Sequence, residues 1–177
     1  MDHGKVLAPA PAGQPRIVVH PFSTANTDFG TGEKENKPKY QEVARQMEAT
    51  APIALAQSLV NHLESRKVLG GAELAGAGEG PAGALHLRGE FTVLNPGSRG
   101  KRFWVGMGSG RSRVCVKGEL VDAEGHQLLT FEHCRAGTGN WSFVGGRSEG
   151  MMFDDLAGTA EKVTGFLEAW SRGAVSR

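Results

Sequence analysis

Hydrophobic residues recur along the chain with two different periods, and each period predicts a different kind of element. A β-branched run at residues 16–22 predicts a first strand. Residues 40–50 are compatible with a turn or two of helix. Apolar residues at helical spacing follow up to residue 67, and Pro52 places the start of this main helix near residues 50–51, because proline is tolerated in the first turn. Residues 84–94 alternate with period two, which predicts a half-buried strand.

The stretches 113–122 and 126–134 also alternate and predict a hairpin closed by a two-residue turn at Glu124-Gly125. One register of the two strands pairs opposite charges, places an aromatic ring over a strand glycine and pairs apolar residues, all at the same time. It sets Lys117 opposite Glu132, Gly118 opposite Phe131, Leu120 opposite Leu129 and Cys115 opposite Cys134.

Opposed residues in this hairpin lie within the Cα separation that a disulfide spans. Cys115 and Cys134 are therefore a candidate cross-strand disulfide, which requires an oxidising compartment. The alternative is two neighbouring free thiols in a cytosolic sheet. Two cysteines without zinc-ligand spacing predict neither a metal site nor a disulfide framework.

The last apolar stripe predicts a second helix that packs on the sheet. Asp154 or Asp155 is its expected N-cap, and Gly173 follows Arg172 as its C-cap. The predicted fold class is α+β: a two-layer sandwich with a mixed, mostly antiparallel sheet of about four strands. Both main helices lie on one face, in the order β-α-β-β-β-α.

A length of 177 residues is typical of one domain. We expect a flexible Ala/Pro/Gly linker at residues 1–15, a single α+β domain at 16–173 and a short tail at 174–177. The net charge of +1 gives no global attraction to nucleic acid or membrane. The sequence shows neither an apolar run long enough to span a membrane nor a signal peptide at Met1.

The chain has 26 glycines, and a group of them lies in a basic segment at residues 97–113. Glycine lets backbone N–H groups approach a ligand, and arginine adds bidentate donors, so the segment is a candidate anion site. The alternative is a bent strand crossover with its arginines in solvent. No nucleotide-binding motif is present, and nucleic acid is not the expected partner. The candidate ligands are Arg99, Lys101, Arg102, Arg111 and Arg113, with the backbone of Gly106, Gly108 and Gly110.

No residue pattern indicates catalysis, and no cofactor is predicted. His62 and Glu64 lack a second histidine at metal spacing, which is typical of a solvated helix face. His133 falls on the apolar side of the hairpin and is expected to be a core histidine with its hydrogen bonds satisfied. No serine lies in a nucleophile elbow. The sequence therefore favours a protein that is not an enzyme.

Several motifs resemble the bacterial "domain of unknown function 4410" family. They are R-G-E-F at 88–91, a basic turn from Gly97 to Arg102, G-M-G-S-G-R-S at 106–112 and a strand ending in D-A-E-G at 122–125. The resemblance covers roughly residues 16–170. It implies a small envelope protein, in many members a lipoprotein, and it assigns no catalytic residues.

The expected function is thus a non-enzymatic domain on the periplasmic side of the cell envelope, acting as an interaction or assembly module. Its partner would be an envelope protein or another copy of itself. The alternative function is anion or nucleic-acid binding through residues 97–113. The expected location is the periplasm, or a tether to the outer membrane if an export signal precedes Met1; the alternative location is the cytoplasm.

Overall fold

The computed structural model describes residues 1–30, 38–76, 80–95, 112–137 and 148–175. Within these ranges the chain forms six strands and two helices. In chain order they are β1 His3–Val6, β2 Ile17–Val19, α1 Pro38–Ser65, β3 Ala72–Leu74, β4 Leu85–Asn95, β5 Arg113–Val121, β6 Gln127–Ala136 and α2 Ser148–Ser171.

The strands form one mixed sheet in the order β1-β6-β5-β4-β2-β3. β2 runs parallel to both β3 and β4, and the other neighbours are antiparallel. The α+β class is confirmed, but the expected four strands are wrong: the described residues form six, with one more parallel pair than predicted. β1 and β3 have only four and three residues, too few for an alternating pattern to stand out.

The expected flexible linker at residues 1–15 begins instead with an edge strand. His3–Val6 pairs with β6 through a regular antiparallel register. The following residues cross the ends of both helices: the Trp170 indole N–H donates to the Ala8 carbonyl (2.9 Å), and the Gly70 N–H donates to the Pro15 carbonyl (3.1 Å). The N-terminal segment therefore runs across the domain, from the β1 edge of the sheet to the β3 edge.

The predicted hairpin register is confirmed in β5 and β6, including the pairs Cys115–Cys134 and Leu120–Leu129. The turn differs, because the register shifts after Leu120 and the connection is longer than two residues. Asp122 closes it by accepting the N–H of His126 (2.7 Å). Gly125 has φ 88°, the left-handed conformation that glycine adopts most readily.

Helix α1 begins well before the predicted start at residues 50–51. Pro52 lies inside the helix instead of in its first turn. A proline at such a position removes one helical hydrogen bond, a local loss that burial can offset. Met47, Ala51 and Leu55 are all buried around it, so packing on the sheet supports the helix through the proline.

Helix α2 also begins earlier than predicted, at Ser148, so neither Asp154 nor Asp155 is its N-cap. Its C-terminal end follows the prediction. Gly173 has φ 68°, its N–H donates to Trp170, and the next N–H donates to the Ala169 carbonyl. This is the glycine-capped ending that satisfies the last helical carbonyls.

The buried residues of both helices and of one sheet face form a single cluster, which includes Trp170, Phe91 and Leu59. The expected layering, with one helical layer on one face of the sheet, accounts for this burial. None of the described helices is long and apolar enough to cross a membrane.

Candidate interaction surface

The sheet face that points away from the helices carries two rows of charged and polar side chains. On β5, Val114, Val116 and Leu120 are buried toward the helices, so Lys117 and Glu119 point to the opposite side. Strand registers align these two with residues on β4, β6 and β1. The first row is Arg88, Glu119, Thr130 and Lys5, and the second is Glu90, Lys117, Glu132 and His3; together these eight residues are called the outer face.

Opposite charges alternate within and between these rows. The Lys117 ammonium lies 2.7 Å from the Glu90 carboxylate, and the Arg88 Nε atom lies 3.3 Å from that of Glu119. The hydrogen bond and negative charge of Glu90 raise the pKa of Lys117 above its usual value. Each pair is partly exposed, so solvent screens it and it contributes little to stability.

A groove of about 820 Å³ lies between the two rows and crosses four strands. Its floor is formed by the backbone around Gly89, Gly118 and Gly4. Three cations and three carboxylates line it in addition to His3, so their formal charges cancel. The groove therefore has no net preference for anions or for cations. It is instead complementary to a surface on which charges alternate in the matching order.

The same glycines shape the helix-facing side of the sheet. A Cβ atom at Gly118 would lie 2.5 Å from Cζ of Phe131, and one at Gly4 would lie 2.7 Å from Cζ of Phe166. The predicted cover of Gly118 by the Phe131 ring is present. These contacts require glycine because the aromatic rings occupy the space where a side chain would begin.

A disulfide between Cys115 and Cys134 borders the outer face. The cysteines are directly opposed in the β5–β6 ladder, and the bond joins residues 19 apart in the chain. Next to it, the Cys134 N–H donates to the Asp2 carboxylate (2.5 Å), and this hydrogen bond lowers the pKa of Asp2.

Two histidines meet where β2 ends beside β4. His20 Nε2 and His86 Nδ1 are 3.0 Å apart, and both rings are partly buried. Burial lowers the pKa of His20, and the nearby His86 and Arg88 lower it further. At this distance one ring nitrogen donates an N–H and the other accepts it, so the two rings form a structural contact between the end of β2 and β4.

His133 is buried on the helix-facing side, as predicted, but its expected hydrogen bonds are not formed. Neither ring nitrogen has a hydrogen-bond partner in the described residues, although Nδ1 lies 3.4 Å from the Asp2 carboxylate. Burial lowers the pKa of His133 more than the charge of Asp2 raises it. These surroundings therefore favour the neutral form of the ring.

A second polar cluster, not expected from the sequence, joins β5, β6 and α2. Ser112 and Asp155 are buried, and the Ser112 hydroxyl donates to the Asp155 carboxylate (2.5 Å). The Arg135 Nε atom lies 3.4 Å from the other carboxylate oxygen. Asp155 thus fixes the helix to two strands.

The position of Asp155 within α2 explains why the sequence did not reveal this contact. Thr159, one turn after Asp155, is fully buried, whereas the adjacent Asp154 is exposed. The expected N-cap role placed Asp155 at the helix end, where its side chain would face solvent. Because α2 begins earlier, Asp155 lies within the helix and on its buried side.

The predicted anion site lies almost entirely outside the described residues. Of its members only Arg113 is described, as the exposed first residue of β5, opposite Asn95 and Ala136. The other cations and the three glycines of that site stay a prediction. Glu64, considered for metal binding, has a structural role: its carboxylate accepts the Ala72 N–H and a guanidinium N–H of Arg16.

The chain is similar to known proteins in sequence pattern and in fold. The model of the family described as "Domain of unknown function (DUF4410)" matches residues 17–138, more than half of the chain. No curated protein matches the chain at a significant level. The family resemblance inferred from the motifs is confirmed.

Among solved structures, a PelC dodecamer from Paraburkholderia phytofirmans has a TM-score of 0.53 at 16% identity, covering 90% of this chain and 95% of that chain. A candidate lipoprotein from Caulobacter crescentus CB15 has a TM-score of 0.41 at 17% identity, covering 70% and 85%. A DUF330 protein from Xanthomonas campestris has a TM-score of 0.45 at 10% identity, covering 96% and 95%. At these identities the likeness to PelC shows a shared fold.

Proposed function

Because the chain belongs to the DUF4410 family, we propose that it is a non-enzymatic domain of the bacterial cell envelope that works by self-association. The observation that carries this proposal is the fold match to PelC, which covers nearly all of both chains. That protein is a dodecamer. A domain with the same arrangement of sheet and helices can present equivalent surfaces to neighbouring copies.

The chemistry of the described residues supports an interaction role over catalysis. Four charged groups of the outer face form two ion pairs, Arg88 with Glu119 and Lys117 with Glu90, in partly exposed positions. Ser112, whose hydroxyl donates to the Asp155 carboxylate, is fully buried and does not line the groove of the outer face, so a substrate in that groove would not reach it. In the part of the chain that the structure describes, no nucleophile and base face each other across a pocket.

The disulfide supports a location on the periplasmic side of the envelope. Cross-links of this kind persist in oxidising compartments and are rare in the bacterial cytosol. The family resemblance also implies envelope proteins, which agrees with this location.

The first test is the mass of the purified protein in solution, measured by light scattering and native mass spectrometry over a wide concentration range. We expect a defined oligomer larger than one chain. A monomer at every concentration would contradict self-association.

The second test is the redox state of the two cysteines in host cells. Acid quenching followed by alkylation should leave Cys115 and Cys134 unmodified until a reductant is added, and fractionation should recover the protein with the envelope. Free thiols in freshly quenched cells would contradict the envelope location.

A further inference from the structure

We propose that two copies of this chain pair through the outer face, related by a two-fold axis that runs across the strands between the two charged rows. The inference rests on the proposed self-association and assigns one contact within it. The eight residues that form the contact are those already defined: Arg88, Glu119, Thr130 and Lys5 in the first row, and Glu90, Lys117, Glu132 and His3 in the second.

The edges of the sheet are poorly suited to pairing. β1 has four residues and carries Lys5, a residue type that discourages strand addition. β3 has three residues, and its central Glu73 is held by Arg16, with Nε 3.3 Å from the carboxylate. Because both edges are short and charged, the open face offers the larger regular surface among the described residues.

The order of charges makes the outer face complementary to itself. A two-fold rotation about the proposed axis places the first row of one copy on the second row of the other, strand for strand. Arg88 then meets the partner copy's Glu90, and Lys117 meets the partner copy's Glu119. Because the rotation is symmetric, each of these contacts occurs twice, as an isologous interface requires.

The size of the face matches a weak contact. β4, β5, β6 and β1 have 11, 9, 10 and 4 residues, and each residue of a strand covers about 16 Å² of the sheet. The face of these four strands therefore covers roughly 500 Å² per copy, below the roughly 800 Å² per partner of a standard interface and typical of weak contacts. Under this rotation the grooves of the two copies face each other and form one shared space, into which the long side chains of both rows can extend.

The test uses two charge-reversed variants of the full chain. R88E/K117E makes the rows acidic, and E90K/E119K makes them basic. Each variant alone should associate about tenfold more weakly than the wild type or worse, because like charges then face each other. An equimolar mixture should recover association, and it should weaken with added salt.

Matched controls change the same net charge on the helical layer. They are R45E/R172E for the acidic variant and E42K/E48K for the basic one, all at exposed positions. The controls should keep the wild-type mass. Far-ultraviolet circular dichroism and an intact disulfide establish that each variant is folded.

A second measurement needs no variant. Equal amounts of isotope-labelled and unlabelled wild-type protein are mixed and treated with a zero-length carbodiimide cross-linker. We expect Lys117–Glu119 links that join a labelled to an unlabelled peptide, which only contact between copies produces.

The outcomes separate the two proposals. A monomeric wild type overturns self-association itself. An oligomeric wild type whose mass is unchanged in both face variants, with no mixed-isotope link at Lys117, overturns the outer-face contact and leaves self-association standing.

Discussion

The close approach of β4 to β5 at Gly89 makes this residue the most sensitive of the described sheet glycines. A Cβ atom there would lie 2.7 Å from Cε2 of Phe22 and 2.9 Å from Cα of Gly118, and it would also overlap the Lys117 carbonyl oxygen. Two of these three neighbours are backbone atoms of β5. A side-chain rotation therefore cannot relieve the clash in Gly89→Ala, and the two strands must move apart.

The expected cost follows from three contributions. Overpacking a well-packed site costs about 1–3 kcal/mol, and fixed backbone neighbours place Gly89→Ala at the upper end. Moving the strands apart weakens about one ladder hydrogen bond, worth about 1 kcal/mol. Alanine offsets roughly 0.5–1 kcal/mol through its smaller backbone entropy. The net loss is about 3 kcal/mol, or a fall in Tm of roughly 6–12 °C for a chain of this size.

Urea unfolding followed by circular dichroism measures this loss against two other glycines. Gly4→Ala should cost less, because the three atoms nearest to its Cβ would all belong to the Phe166 ring, a side chain that can shift. Gly76→Ala should stay within about 0.5 kcal/mol of the wild type, since no atom lies within 4 Å of its Cβ position. If Gly89→Ala unfolds at the same urea concentration as Gly76→Ala, the reasoning about strand approach is refuted.

Three further perturbations test the histidines, the disulfide and the second polar cluster. The pKa values of His20 and His133 in the folded protein lie below the unfolded value of about 6.5. The free energy of unfolding should therefore be highest above about pH 6.5 and should fall as the pH drops below it, because the unfolded chain then binds more protons. A urea midpoint that rises on acidification would contradict this sign. Replacing both cysteines by serine opens a loop whose ends are 19 residues apart and should lower the free energy of unfolding by about 3 kcal/mol. Equal urea midpoints of the wild type with and without reductant would argue against the bond. Asp155→Ala should cost about 2–3 kcal/mol in the same assay, because it removes the acceptor of the Ser112 hydroxyl and the ion-pair partner of Arg135. Exposed Asp154→Ala should be nearly neutral, and equal effects would exclude the buried cluster.

The hairpin was predictable because its pairing is local and over-determined. Charge, aromatic cover and apolar pairing all selected one register for β5 and β6, and the structure has that register up to Leu120. The C-terminal end of α2 was predictable for a similar reason, since Gly173 is a local signal with a direct conformational cause.

The elements that were missed depend on distant parts of the chain. β1 is mostly polar and exposed, and its pairing with β6 joins residues that lie far apart in the chain, so no local pattern marks it. The helix starts were misplaced because Pro52 and Asp155 are local boundary signals that tertiary packing overrides.

The outer face was only partly predictable. The sequence register set Lys117 opposite Glu132, and that pairing is present, but the ammonium group binds Glu90 on β4 instead. The register between β4 and β5 contains a shift between Phe91 and Val93, which alternation alone does not reveal. The order of charges across four strands therefore required the assembled sheet.

The pairing of charges within each copy limits how strongly the outer face can bind another. Because Lys117 and Arg88 already have partners in the monomer, a second copy adds to existing ion pairs rather than neutralising isolated charges. Each added pair lies near solvent and is screened by it, so one face contact is weak by itself. Weak contacts become effective when several operate in one assembly, since each later contact forms within a structure that is already joined. A self-complementary but internally neutralised face is therefore better suited to ordered multimers than to isolated dimers.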